Sequence, residues 1–207
     1  MTNMAVWMRS VKVGFRGAVQ PLAVALARAG IQANWLTYLG FALNVLVAVL
    51  VSQGWLLVGG ATFLIVNALD FLDGAVARAA GTAGAFGAFL DSVLDRYSEA
   101  VVFVGLIVWY SGQGDSIAVT VTALALAGSF MVSYCRARAE GLGLDCEVGL
   151  LQRPERIIVL GIGLMLAEIA YPVVLVAVLV VLAVLTNFTT AQRIRHVGRL
   201  FEERARR

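Results

Sequence analysis

LLVGGATFLIVNALDFLDGAVARAAGTAGAFGAFLDSVLD, residues 56–95, sets the terms for the whole chain. An apolar run ends on Asp70 and Asp73. A small, glycine-rich stretch, Ala79–Gly87 (AAGTAGAFG), follows, and Asp91 and Asp95 stand just ahead of the next apolar run. Asp70 and Asp73 are three apart and Asp91 and Asp95 four apart, so each pair shares one face of a helix. The glycine-rich stretch reads as a tight turn that makes the two helices antiparallel neighbours. At a rise of about 1.5 Å per residue, Asp91 lies roughly 6 Å beyond Gly87 and Asp95 about 12 Å beyond it. Asp73 precedes Arg78 by a similar depth, so the acids are expected to converge at one level of a membrane. An ionisable side chain in a bilayer costs roughly 2.5–3.5 kcal/mol on insertion scales, which marks such residues as functional. Satisfaction by salt bridges would need a cation for each acid at that depth, and only Arg78 and Arg96 are close in sequence.

The rest of the chain is built to surround that hairpin with hydrocarbon. It is 60% hydrophobic and 14% charged, with a mean hydropathy of +0.87, a balance that belongs to a polytopic membrane protein. Apolar runs recur at Trp35–Val51, Trp55–Leu69, Ala100–Tyr110, Ile117–Val132, Ile157–Ala170 and Val173–Thr186. Extended at their polar ends, most approach the roughly 20 residues that a spanning helix needs. The run at Ile157–Ala170 is short and must borrow from Arg153–Arg156 or Tyr171. The expected fold is all-α, a bundle of six transmembrane helices (roughly 20 residues each) behind an N-terminal interfacial amphipathic helix. It forms a single domain over residues 1–207: a juxtamembrane segment at 1–33, the bundle at 34–193 and a basic tail at 194–207.

In the juxtamembrane segment, Met4, Trp7, Met8, Val11, Phe15 and Val19 share one helical face, and Arg9, Lys12 and Arg16 an adjacent one. Met4–Leu22 is therefore expected to lie in the headgroup plane with its cations toward anionic lipid. Residues 1–20 alternate apolar and basic and are not expected to be a signal peptide. Cys135 and Cys146 lack metal-ligand spacing and are expected to be free thiols in a reducing compartment. Arginines gather before the first run, at Arg78, at Arg136–Arg156 and after the last run. The opposite connections, Ser52–Gly54, Ser111–Ser116 and Glu168–Pro172, hold no Lys or Arg. This positive-inside pattern puts both termini and the acids on the cytoplasmic side of the cell membrane. The basic C-terminus is expected at anionic headgroups, and no nucleic-acid partner is expected.

Clustered carboxylates repel, and desolvation raises their pKa, two difficulties that a divalent cation resolves. Oxygen ligands with no His or Cys point to Mg²⁺, Mn²⁺ or Ca²⁺. Gly74 and Gly87 each remove a side chain beside the acids, which permits either close helix packing or a ligand against the backbone. A cation beside an arginine, Arg78, suits a diphosphate. Asn34 is expected as an N-cap of the first span, with Thr37 within its first turn.

Asp70-x2-Asp73-Gly74-x2-Ala77-Arg78-x8-Gly87-x3-Asp91-x3-Asp95 matches, at every fixed position, the signature of the CDP-alcohol phosphatidyltransferases. The chain resembles that family over nearly its whole length. The resemblance implies a transferase that uses Mg²⁺ (or Mn²⁺) and a CDP-linked lipid such as CDP-diacylglycerol. It implies that Asp70, Asp73 and Asp91 are metal ligands, with Asp95 beside the metal as the base that deprotonates the acceptor hydroxyl. Gly74 and Ala77 would admit the cytidine, Gly87 would line the CDP-lipid site, and Arg78 would touch phosphate. Asn34 and Thr37 resemble the family's Asn-x-x-Thr at the nucleotide site, although Ala33 stands where that motif usually has proline. A homodimer is implied by resemblance alone.

A second cluster addresses the acceptor. Ser133-Tyr134-Cys135-Arg136-Ala137-Arg138-Ala139-Glu140, Arg153-Pro154-Glu155-Arg156 and Gln192-Arg193 all fall at helix ends on the side assigned to the aspartates. A basic pocket is what a phosphorylated acceptor needs. The pattern resembles the inositol-phosphate-using branch, the phosphatidylinositol phosphate and archaetidylinositol phosphate synthases, with Arg136 where lysine is common. That implies an acceptor-phosphate site at Ser133, Arg136, Arg138, Arg153, Arg156 and Arg193, and inositol 1-phosphate as acceptor. Glycerol 3-phosphate as acceptor and CDP-archaeol as donor are alternatives within the same chemistry. A cation- or proton-coupled transporter and a catalytically silent lipid-binding protein are the alternatives outside it. A transporter would stagger its acids across the membrane and carry an inverted repeat, and a silent binder would be expected to lose an aspartate.

Overall fold

Backbone amides cannot be left bare in hydrocarbon, so apolar runs of this length fold as helices that satisfy their own N–H and C=O groups. The computed structural model describes residues 20–169 and 173–206, without the side chain of Phe71, and these residues contain helices and no strand. The first helical stretch, α1, covers residues 20–28. It is followed by α2 (Ala33–Ser52), α3 (Leu56–Leu69), α4 (Phe71–Ala79), α5 (Ala85–Gly112), α6 (Ser116–Glu140), α7 (Arg153–Ile169) and α8 (Val173–Ala205). The interfacial helix expected at Met4–Leu22 lies, apart from its last residues, outside the described residues, as does Pro172.

Among the described residues, four stretches are long and apolar enough to cross a membrane: Ala33–Ser52, Leu56–Ala79, Ser116–Glu140 and Val173–Ala205. The second joins α3 to α4 through Asp70, whose φ of −55° and ψ of −23° keep the backbone helical. Two expected spans fall outside this set for visible reasons. α5 carries Asp91, Asp95, Arg96 and Glu99 within its first 15 residues, and α7 has 17 residues. α7 does borrow Arg153–Arg156 for its first turn, as its short apolar run requires. The segment expected as a basic tail is a continuation of α8, which runs for 33 residues. At about 1.5 Å per residue such a helix exceeds a hydrocarbon core of about 30 Å, so its charged end extends beyond one.

The described chain divides into two compact units: unit 1, Met1–Leu43 with Val66–Asp95, and unit 2, Asn44–Ile65 with Arg96–Arg207. Unit 1 has a small core, in which Ala23, Ala75 and Val76 are packed by Leu26, Ala27, Ala33 and Leu36. Unit 2 holds a large one, including Val47, Phe63, Phe103, Leu106, Leu160, Leu164, Leu175, Leu179 and Leu182. α6 and α8 form its most extensive helix pair, followed by α7 and α8. Lipid tails are as apolar as these side chains, so area removed from water is not what holds such helices together; close packing of small residues is. A Cβ on Gly105 would lie 2.5 Å from the Ala48 carbonyl oxygen, and one on Gly60 2.7 Å from that of Gly161. Buried hydroxyls are satisfied within their own helices: Thr122 donates to the Ala118 carbonyl and Thr186 to the Leu182 carbonyl, both at 2.7 Å. At helix ends, Asp115 accepts from the Ala118 N–H at 2.9 Å, and Glu168 accepts from the Leu57 N–H near the start of α3. Both place negative charge where a helix N-terminus favours it.

Candidate active site

In unit 1 the turn between α4 and α5 is tighter than expected. α4 stops at Ala79 and α5 begins at Ala85, so Gly87 is already helical. α2 begins at Ala33, so Asn34 is a first-turn residue and not the cap. Its side chain lies by α5, with Oδ1 3.6 Å from where a Gly87 Cβ would stand. A hollow of about 270 Å³ results, with Asn34, Thr37, Asp73, Gly74, Ala77, Arg78, Gly87 and Asp91 in its walls. These are six of the eight motif residues, all but Asp70 and Asp95, together with the Asn and Thr from more than 30 residues upstream. Thr37 donates its hydroxyl hydrogen to Asp73 Oδ2 at 2.8 Å, and the Gly74 N–H donates to the other oxygen. Asp73 is thus 8% exposed, with both carboxylate oxygens engaged. The glycines front the hollow without being forced by packing. A Cβ on Gly74 would meet only the tip of Arg78, at 3.3 Å.

The four aspartates are not gathered at one point. Asp73 and Asp91 share the main hollow, while Asp70 and Asp73 front a smaller one of about 90 Å³ beside Gly40. Asp95 is half-buried on α5 and is not among the residues lining either. Among the described residues no three His, Cys, Asp or Glu side chains stand close enough together to hold a metal ion. Like charges favour separation, and Asp73 is turned toward Thr37. The donor set nonetheless fits a hard divalent cation. It is made of carboxylates with neighbouring hydroxyl and amide oxygens, and unit 1 contains no His and no Cys.

Unit 2 holds the arginines. Arg156 is 1% exposed and forms a two-point contact with Glu99, Nε to Oε1 at 2.7 Å and Nη2 to Oε2 at 2.8 Å. Arg193, also buried, donates through Nε to the Val148 carbonyl at 2.8 Å and through Nη1 to the Val132 carbonyl. Arg136 pairs with Glu140 at 2.8 Å and with Glu147 at 3.0 Å. Arg193 is within Coulombic range of both Arg136 and Arg156, so these three form one cluster. Ser133 and Arg153 are half-buried, and Arg138 is exposed. In the loop after α6, burial pushes the Cys146 thiol up, and Arg193 works against that shift. Both cysteines are free thiols. A roomier hollow of about 640 Å³, lined by Asp145, Glu147, His196, Glu203 and Arg204 among others, contains none of the expected site residues.

Reading the sequence missed Glu99. The available signal was a carboxylate only four residues beyond Asp95, on the edge of an apolar run, where a charge needs a partner. Its partner, Arg156, is 57 residues away, and only the fold could name it.

A helical membrane protein with an acid-lined hollow, an arginine at its edge and glycines where side chains would intrude has the features that suit a phosphate-bearing substrate. Residues 31–193 match the model of the CDP-alcohol phosphatidyltransferase family, and the chain belongs to that family. It is 37% identical over 182 residues to the archaetidylinositol phosphate synthase of Methanothermobacter thermautotrophicus, covering 88% of this chain and 89% of that one. It is 38% identical over 188 residues to the phosphatidylinositol phosphate synthase of Mycobacteroides abscessus, covering 88% and 84%. Two crystal structures of the Mycobacterium tuberculosis phosphatidylinositol phosphate synthase are similar to it, each at 34% identity. The one with CDP-DAG bound has a TM-score of 0.81 and covers 86% of this chain and 92% of that chain. The one in complex with manganese and citrate has a TM-score of 0.82, covering 87% and 88%. The chain is therefore an enzyme of phospholipid synthesis and a multi-pass membrane protein.

Proposed function

We propose that this protein transfers a phosphatidyl group from CDP-diacylglycerol to inositol 1-phosphate, releasing CMP and giving phosphatidylinositol phosphate. The observation that carries the reading is the hollow of unit 1, where Asn34 and Thr37 meet Asp73, Gly74, Ala77, Arg78, Gly87 and Asp91. Asp70, Asp73 and Asp91 would hold Mg²⁺ or Mn²⁺, with Asp95 beside them. The metal, when bound, neutralises diphosphate charge and makes CMP a better leaving group. Gly74 and Ala77 leave room for the cytidine, Asn34 and Thr37 line its site, and the Arg78 guanidinium binds a phosphate oxygen. Asp95 takes the proton from the acceptor hydroxyl as the new oxygen–phosphorus bond forms and the bond to CMP breaks. Ser133, Arg136, Arg138, Arg153, Arg156 and Arg193 bind the acceptor's phosphate.

The same reading takes residues 1–207 as one membrane domain with six spans, an interfacial N-terminal helix and a homodimeric state. Both termini and the site face the cytoplasm, supported by the absence of Lys and Arg from Ser52–Gly54 and Ser111–Ser116. A membrane-impermeant thiol label applied from the cytoplasmic side should miss a cysteine placed at Gly54 or Gly114 and reach one placed at Gly143. The reverse pattern inverts the orientation. CDP-archaeol is the second donor to test, because the chain is 37% identical to an archaetidylinositol phosphate synthase. The deciding experiment is CMP release by the purified protein from CDP-diacylglycerol or CDP-archaeol, with and without inositol 1-phosphate, in Mg²⁺ and in EDTA. Release that needs both acceptor and metal supports the reading. Faster reaction with glycerol 3-phosphate or free inositol overturns the acceptor, and full activity in EDTA overturns the metal.

A further inference from the structure

We infer that Glu99 is a positioning residue for the acceptor's phosphate, acting through Arg156; the inference rests on the acceptor site proposed above. Glu99 and Arg156 are 5% and 1% exposed. The carboxylate uses both oxygens on one edge of the guanidinium, through Nε and Nη2. The third nitrogen, Nη1, is buried and has no hydrogen-bond partner among the described residues. Buried donors in folded proteins are nearly always satisfied, and one left over in an otherwise saturated pair calls for an explanation. A two-point carboxylate contact locks the plane of the guanidinium, so Nη1 is held in one fixed direction.

The neighbouring charges say what Nη1 serves. Arg136 already has two acids, Glu140 and Glu147. Arg193 has no acidic hydrogen-bond partner among the described residues; it is held by the carbonyls of Val132 and Val148, which orient a guanidinium without neutralising it. Arg193 is 2% exposed and within Coulombic range of Arg156. The cluster therefore combines an uncompensated buried cation with an orphan donor on its neighbour. Thr189, one turn before Arg193 on α8, likewise has a buried hydroxyl oxygen without a partner. An anion with several oxygen acceptors, such as a phosphate monoester, satisfies all of these together. A carboxylate beside such a site works against the anion electrostatically. Glu99 is consistent with it because the gain is directional: without Glu99, the Arg156 fork is free to rotate away.

The test measures CMP release by the purified full-length protein in Mg²⁺, varying each substrate in turn. Glu99→Gln keeps the size but sets an amide N–H against an Arg156 N–H, so the fork turns. The expected result is an acceptor KM raised about tenfold, the size of one charged hydrogen bond, with the CDP-lipid KM within about twofold of wild type. In an Arg156→Lys background, adding Glu99→Gln should change the acceptor KM by less than about twofold, because a residue acting through Arg156 has nothing left to position. A merely structural pair predicts a lowered kcat with both KM values unchanged, and that result overturns the inference, as does additivity in the double variant. Should Glu99→Gln fail to fold, Glu99→Asp decides. Shorter by one methylene, it loses one of the two contacts, so an acceptor KM raised about threefold is expected, and a wild-type value overturns the inference. The wild-type control separates the two readings. If wild type does not use inositol 1-phosphate, the proposed function fails and the same KM shifts are read with glycerol 3-phosphate. If wild type uses it and Glu99→Gln leaves its KM unaltered, only the role of Glu99 fails.

Discussion

Unit 1 and unit 2 use the same small residue for opposite ends. In unit 1, Gly74 and Gly87 line a hollow. A Cβ on either would meet nothing nearer than 3.3 Å, and the nearest atom to Gly74 is the movable tip of Arg78. In unit 2, a Cβ on Gly105 would lie 2.5 Å from the Ala48 carbonyl oxygen, and one on Gly128 would collide with the Thr186 hydroxyl. Unit 1 keeps its glycines so that something else can approach, and unit 2 keeps them so that its own helices can. The polar residues divide in the same way. Unit 1 concentrates carboxylates around a hollow beside a small core that includes Ala23, Ala75 and Val76, while unit 2 buries guanidinium groups beside a large apolar core. One unit is organised around an absence of side chains and the other around their interlocking.

The comparison breaks most sharply at the acids. Asp91→Asn or Asp73→Asn should lower CMP release by roughly a thousandfold or more while leaving the thermal unfolding midpoint almost unmoved, because on the proposed function the charge that would hold the metal is lost and no packing is. Activity within about tenfold of wild type would remove the acids of unit 1 from the chemistry. Asp95→Asn should lose most turnover yet still bind a CDP-lipid analogue, whereas Asp70→Asn should lose binding as well; equal losses of affinity would end the distinction between base and ligand.

Next in size is the pair of glycine substitutions. Gly105→Ala forces Cβ against backbone, and overpacking of this kind costs about 1–3 kcal/mol, so unit 2 should lose thermal stability with both KM values kept. Gly87→Ala should retain wild-type stability and raise the KM for CDP-lipid, since its Cβ has ordinary clearance from Asn34 and instead narrows the hollow. Both changes acting on stability alone would erase the difference between the units. A smaller effect is expected from Thr37→Val, which removes the hydroxyl from Asp73 and so about 1 kcal/mol of hydrogen bonding, read as a several-fold change in donor affinity. The smallest is chemical. Cys146 is buried, and burial raises its thiol pKa, so maleimide should modify it slowly at neutral pH and faster as pH rises. Rapid modification at pH 7 would show that the loop over unit 2 is open.

The sequence by itself determined the family, the helical membrane character and the identity of the acids, because these rest on local patterns. Spacing of three and four residues sets a helix face, and apolar runs near 20 residues have one stable solution in lipid. It also placed Asn34 and Thr37 with the aspartates, though only through a motif; the hydrogen bond from Thr37 to Asp73 spans 36 residues and is a product of folding. Tertiary structure alone decided three things. It paired Arg156 with Glu99 and tied Arg193 to two backbone carbonyls, so that arginines alike in sequence differ in how much donor capacity they retain. It separated the glycines that front a hollow from those wedged between helices. And it divided Asp70, Asp73 and Asp91 between two hollows that share Asp73, leaving Asp95 out of both. Each of these depends on which residues from distant segments become neighbours, and periodicity along one helix carries no information about what packs against it.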